Sequence, residues 1–177
     1  MSRFFMVEQT ETIQSDSVDA IITQWREENV EVDLLPMAIL GRLAKLGKYI
    51  DTDILHCHDQ QDLRQGEFDV LATLRRSGKP YSLTPSELYQ SMMLTSGAMT
   101  SRLDRLETKG FIRREHSKSD RRSVQVILTA EGKNKVDAVL PAHIITQHDL
   151  LTGVSQQDRE NLAELLKRWL IQLETTK

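Results

Sequence analysis

At 177 residues the chain is long enough to bury a real core, and its 39% hydrophobic and 28% charged composition excludes an intrinsically disordered protein. A single cysteine, Cys57, excludes an intramolecular disulfide framework and fits a reducing, cytoplasmic setting. No apolar run approaches the ~18 residues of a membrane span, and Met1 to Glu8 carries only a short apolar patch before turning acidic, unlike a secretory signal.

The first twelve or so residues read as loose. Val18, Ile21, Ile22 and Trp25 stand at helical spacing and predict a short helix from about Ser17 to Glu28. Asn29 to Pro36 is a break. Pro36 suits the first turn of a second helix, which runs to about His58 with Ile39, Leu40, Leu43, Leu46, Ile50, Ile54 and Leu55 as its stripe. After Gly66 a third helix, Phe68 to Arg76, carries Phe68, Leu71, Ala72 and Leu74, and Ser77-Gly78-Lys79-Pro80 stops it.

Thr84, Pro85 and Glu87 then spell a capping box with proline at the first helical position, predicting a short helix through about Ser91. Thr95 or Ser96 caps the next helix and Gly110 ends it. Two short helices joined in this way are a helix-turn-helix pattern. Phe111 to Glu115 reads as a strand, His116 to Arg121 as a polar turn. Val124, Val126 and Leu128 alternate with Ser123, Gln125 and Ile127 as a second strand. A hairpin directly after the second helix makes a winged helix. Thr129 caps a helix toward Leu151, which Pro141 is expected to kink or split. Ser155 caps the last helix, with Asp158 and Glu160 near its positive end and an apolar stripe of Leu162, Leu165, Leu166, Trp169, Leu170 and Leu173. The expected fold class is mainly α with a small β-hairpin wing.

The net charge of −3 is unevenly placed. Residues 95–122 hold eight cations (Arg102, Arg105, Lys109, Arg113, Arg114, Lys118, Arg121, Arg122) against four anions (Asp104, Glu107, Glu115, Asp120), so this segment is +4 and the remainder −7. A basic patch on an acidic body is the footprint of a polyanion partner, although a solvated surface segment has the same composition. At about 100° per residue, Met99, Leu103 and Leu106 cluster toward the core. Gly97, Ser101, Asp104, Arg105 and Thr108 lie opposite, with Ser96 and Thr100 near the edge. Small hydroxyl residues and a glycine at the start of a helix permit close approach to bases and phosphates, and the backbone N–H groups there add positive potential. The DNA-contacting residues expected on this reading are Ser96, Gly97, Thr100, Ser101 and Arg105, joined by Arg121 and Arg122 at the wing tip. An arginine there can enter an A·T-rich minor groove, and Asp120 can hold it by a charge-assisted bond. An exposed charged turn is the alternative for the tip. Arg102 stands apart, on the flank of the inward face, where it needs a carboxylate partner or an anionic ligand.

Residues 66–132 closely resemble the MarR family of bacterial regulators. The segments that carry this are Leu83–Leu88, Ser96–Glu107, Lys109–Arg114, Asp120–Arg122 and Leu128–Gly132; the family's usual proline before the wing turn is replaced by Ser117-Lys118-Ser119. The resemblance implies a homodimer with interleaved terminal helices, in keeping with apolar stripes that one small lobe cannot bury. The expected organisation is an N-terminal extension with an extra helix (1–35), dimerisation helices (36–62 and 130–177) and a winged helix-turn-helix lobe (63–129). A narrower resemblance is to the PecS-like, urate-responsive branch. It rests on Trp25 in the extra helix, Asp33-Leu-Leu-Pro-Met37 followed by Gly41-Arg42, and Glu67 to Gly78. Where the branch commonly has Arg-Pro-Asp-Leu-Asp after the tryptophan, this chain has Asn29-Val-Glu-Val-Asp33.

That branch implies a ligand set of Trp25, Asp69, Arg102 and Arg114. A tryptophan stacks on a flat heterocycle, two arginines orient an anion, and Asp69 can hold an arginine until the ligand competes. The expected function is a DNA-binding transcriptional regulator, a repressor, acting on a pseudo-palindromic operator and released by a small anionic or aromatic effector such as urate or a related purine. No cofactor, metal or membrane is expected. Sensing of oxidants through Cys57, or of a phenolic ligand, is an alternative input. His56, Cys57, His58, His143 and His148 show no usual metal-ligand spacing. No nucleophile and base or phosphate loop suggests an enzyme. A winged helix used only for protein contacts would lack the cationic tip.

Overall fold

The structure, a computed structural model, describes residues 14–29, 31–64, 66–92, 99–116 and 124–176. The chain divides into two compact units, one up to Tyr49 and one from Ile50 onward, so the boundary falls inside a helix.

In the first unit α1 (Ser17–Glu27) begins at a reciprocal cap. Asp16 accepts the N–H groups of Val18 and Asp19 at 2.7 and 3.0 Å, and the Asp19 carboxylate returns to the Asp16 N–H at 2.9 Å. Val18 and Ile22 are buried with Leu34 and Ala38, whereas Ile21 and Trp25 stay exposed. α2 (Leu35–Asp59) starts where Asp33 accepts the Leu35 N–H at 2.9 Å. Gly41 lets it approach α1 closely, since a Cβ there would lie 3.3 Å from Val18. Arg42 reaches back to Asp16 and Asp19 at 2.8 and 2.5 Å.

The second unit holds the larger core. α3 (Glu67–Arg76) follows Gly66, whose φ of +77° favours glycine. It buries Phe68, Val70, Leu71 and Leu74 against Leu88 of α4 (Pro85–Ser91) and Leu103 and Leu106 of α5 (Met99–Thr108). The capping box on α4 is formed: the Thr84 hydroxyl accepts the Glu87 N–H at 3.2 Å, and Glu87 accepts the Thr84 N–H at 2.7 Å. Among the described residues there is one antiparallel sheet, ordered β1 (Ser82–Leu83), β3 (Val124–Leu128), β2 (Ile112–His116). Ile112 pairs with Leu128 and Arg114 with Val126, which turns Ile112, Val126 and Leu128 into the core. The strand β1 is absent from the sequence reading, because two residues carry no periodicity; it is held by Leu83 opposite Val126 and by Tyr81, whose carbonyl accepts the Leu128 N–H.

Thr129 caps α6 (Ala130–Leu150) by accepting the Gly132 N–H at 3.0 Å. Pro141 lies inside α6 and does not split it, contrary to one of the two outcomes expected from the sequence. One backbone bond is lost at the proline, while Val136 and Val139 on the preceding turn are buried in the core and hold the segment in place. α7 (Gln156–Thr175) starts at Ser155, which accepts the Asp158 N–H at 3.1 Å. No helix among the described residues is long and apolar enough to cross a membrane.

Candidate nucleic-acid interface and ligand site

On α5 the inward and outward faces separate as the periodicity requires. Leu103 and Leu106 are buried and Met99 half-buried, while Thr100, Ser101, Asp104 and Thr108 are exposed. Ser96, Gly97, Asp120, Arg121 and Arg122 lie outside the described residues, so the start of this helix and the wing tip keep their sequence-based reading only.

The basic segment is internally paired to a degree its composition does not reveal. Arg105, expected at the DNA, donates from Nε to Glu67 at 2.7 Å and from Nη1 to the Ser101 hydroxyl at 3.3 Å. Lys109 donates to the other oxygen of Glu67 at 3.0 Å and to the Asp62 carbonyl at 2.5 Å. Glu67 is 0% exposed, and its second oxygen also accepts the Arg64 N–H at 3.0 Å. Burial pushes this carboxyl up, but Arg105, the Arg64 N–H and Lys109 together outweigh it and hold Glu67 below its usual range. It is therefore a carboxylate at neutral pH. Sequence reasoning used Glu67 at the start of a helix and in the segment that carries the narrower resemblance, but gave it no role at the site. Its partners lie 38 and 42 residues away, so no local signal marks it.

The four residues of the expected ligand set are divided between the two units, Trp25 in the first and Asp69, Arg102 and Arg114 in the second. Trp25 lies in the first unit, 44% exposed on α1. In the second unit Arg102 is half-buried, its guanidinium packed on Gly66 so closely that a Cβ there would lie 2.7 Å from Cζ. Asp69 is half-buried nearby. Burial raises its pKa, and His143 and Arg102 act against that rise. Arg114 serves another flank of α5. Its N–H and Nε donate to Glu107 at 2.8 and 2.9 Å, and its Nη2 lies 2.7 Å from Asp104, an arrangement that keeps the Glu107 carboxyl below its usual range. It also lines a surface pocket of about 420 Å³ with Pro85, Met99, Leu103 and Val124.

Beside Asp69 sits an aromatic stack that sequence reading touched only as a poor metal site. His58 at the end of α2 lies on Phe68, ring centroids 4.5 Å apart, and its Nε2 is 3.1 Å from His143 Nδ1. Among the described residues no group of three or more His, Cys, Asp or Glu is arranged for a metal ion. Cys57 is buried.

The model of the MarR family matches residues 63–124. Over 151 residues, 85% of this chain and 91% of the relative, the sequence is 38% identical to the HTH-type transcriptional regulator PecS of Dickeya dadantii. The chain belongs to the MarR family. It is a DNA-binding transcriptional regulator with a winged-helix fold. A second relative, the HTH-type transcriptional repressor YetL of Bacillus subtilis, is 26% identical over 82% of this chain and 86% of its own. A solved structure of a mutant MarR from E. coli complexed with operator DNA is 27% identical, with a TM-score of 0.67 over 78% of this chain and 99% of that one.

Proposed function

We propose that this MarR-family regulator acts as a homodimer that represses transcription and leaves its operator when a small anionic or aromatic ligand, urate or a related purine, binds. The observation that carries the DNA half is α5: a helix with Leu103 and Leu106 locked in the core and Thr100 and Ser101 exposed, placed between a capped α4 and the β2–β3 wing. Two such helices in a dimer enter successive major grooves of a pseudo-palindromic site about one helical turn apart, and Arg121 and Arg122 grip the flanking minor grooves. Phosphate contacts supply most of the affinity, so binding falls steeply with salt.

The ligand half rests on Arg102 and Asp69, a half-buried cation and carboxyl within electrostatic reach of one another where α5 meets the start of α3. An anion competing for Arg102 acts on the reading helix itself. Release then requires the ligand to bind the DNA-incompetent form more tightly. Trp25 supplies a stacking face and Arg114 a second cation in this reading. For Arg114 to take part it must leave Glu107 and Asp104.

The test is a gel shift on the DNA upstream of the protein's own gene, with and without a panel of urate, other purines and phenolic acids. Trp25→Ala and Arg102→Ala are expected to keep DNA affinity within about threefold and to lose most of the urate response. Both variants responding like the wild type places the ligand elsewhere, and wild-type protein that ignores every panel member removes the ligand-release reading.

A further inference from the structure

We infer that Glu67 is a positioning residue for DNA reading: its buried carboxylate pins Arg105 and Lys109, so that these two cations fix the roll of α5 instead of neutralising phosphates. The inference rests on α5 being the helix that reads DNA.

Both oxygens of Glu67 are occupied. Oε1 takes Arg105 at 2.7 Å, and Oε2 takes Lys109 at 3.0 Å and the Arg64 N–H at 3.0 Å. A carboxylate with no exposed surface cannot readily exchange these donors for water, so losing one leaves a buried oxygen short of a partner and the charge only partly compensated. Arg105 and Lys109 are four residues apart; Lys109 directly follows α5, and its N–H still donates to the Arg105 carbonyl at 2.9 Å, so the two side chains share one flank. Lys109 is anchored a second time, on the Asp62 carbonyl at 2.5 Å. The end of the helix is thus fastened at two heights, one turn apart, to Glu67 at the start of α3 and to Asp62 ahead of it.

A rod fastened at two points along one flank cannot roll about its own axis without breaking a fastening. With side chains reaching ~5 Å from the axis, a roll of about 20° carries their tips nearly 2 Å. That is enough to break a hydrogen bond from Thr100 or Ser101 to a base edge. A phosphate contact made by a long, flexible wing cation tolerates the same movement. Glu67 therefore governs discrimination between sequences more than general attraction to DNA.

The experiment uses the full-length protein and measures fluorescence anisotropy on the upstream operator fragment and on a random duplex of equal length, across a salt series. Glu67→Gln is expected to weaken operator binding about tenfold or more, to change random-duplex affinity by less than about twofold, and to leave the salt slope unchanged. Arg105→Gln should give the same pattern. The double variant should be no worse than either single one, because both remove the same fastening. Glu67→Asp, one methylene shorter, should fall between wild type and Glu67→Gln. The inference is overturned if Glu67→Gln binds the operator as wild type does, or tightens both duplexes with a slope steeper by about one or more. It is equally overturned if Arg105→Gln weakens both duplexes alike and lowers the slope by about one, the mark of a phosphate ligand. Gel filtration and thermal melting check folding; should Glu67→Gln fail them, Arg105→Gln and Lys109→Gln carry the same comparison. Thr100→Ala and Ser101→Ala test the α5 reading separately. If neither weakens operator binding, that reading fails whatever Glu67 does.

Discussion

His58 is 2% exposed, with Phe68 against its face and His143 at 3.1 Å from its Nε2. Burial, and after it the neighbouring His143, pushes its pKa down to about 4, opposed only by Asp59 among the causes that act on it. His143 is lowered in the same direction by burial, against the pull of Asp69. An unfolded histidine titrates near 6.5. Between that value and about 4 the unfolded chain binds a proton that the folded chain refuses, so stability is whole above pH 6.5 and declines as the pH falls. At about 1.4 kcal/mol per unit, lowering the pH from 7.5 to 4.5 removes about 2–3 kcal/mol through His58 alone. Urea unfolding at the two values, on wild type and His58→Gln, should show the variant losing less on acidification by about that amount. Equal losses would mean that His58 is protonated in the folded state. Nothing in the chain near His58 announces this pairing, since its partner lies 85 residues on. Glu67 is hidden in the same way. Residues whose role is set by a neighbour distant in sequence were not legible, whereas the half-burial of Arg102 on the flank and the burial of Leu103 and Leu106 follow from angle alone.

Elements were legible where their signals are local. The caps at Thr84, Thr129 and Ser155 stand where the sequence puts them, because a side chain accepting a backbone N–H three residues on needs nothing from the rest of the fold. The strand β1 depends on packing against other elements, and for that reason sequence pattern missed it; the same dependence is why the pattern left open whether α6 runs on through Pro141. Gly132 shows how packing reverses a propensity. It occupies the first turn of α6, where alanine is the better helix former by about 1 kcal/mol. A Cβ there, however, would lie 2.8 Å from the Phe111 carbonyl carbon and 2.9 Å from Leu128 Cδ1. Leu128 can turn aside; a backbone carbonyl that also accepts the Thr129 N–H at 3.1 Å cannot do so cheaply. Overpacking of about 1–3 kcal/mol outweighs the propensity gain. Gly132→Ala is therefore expected to lower the melting temperature by several degrees, as α6 is prised from the start of β2. A variant as stable as wild type or more so would show that this junction gives way freely.

Across the whole molecule the largest unmet demand is apolar. α7 buries none of its residues, although Leu162, Leu165, Leu166, Trp169, Leu170 and Leu173 lie along it, between 37% and 57% exposed. Ile144 and Ile145 of α6 are exposed as well. An exposed apolar stripe of this kind along one helix marks an association surface, and a second copy of the same chain is the occupant the homodimer reading requires. Each leucine covered on association contributes about 1.5–3 kcal/mol, and a carboxylate in its place must also lose its hydration. Leu166→Asp combined with Leu170→Asp therefore removes at least about 3–6 kcal/mol from the interface. At micromolar concentration light scattering should find the wild type at twice the chain mass and the double variant at the chain mass of 20.3 kDa. DNA binding follows from this. Two lobes joined in one dimer engage the second half-site at high effective concentration, and separated lobes lose that advantage, about a hundredfold or more on the operator. Random-duplex binding per lobe should change far less, because it needs no second half-site. A double variant that remains a dimer, or a monomer that holds the operator as tightly as wild type, would place the interface away from α7 or the reading of one half-site per lobe in error.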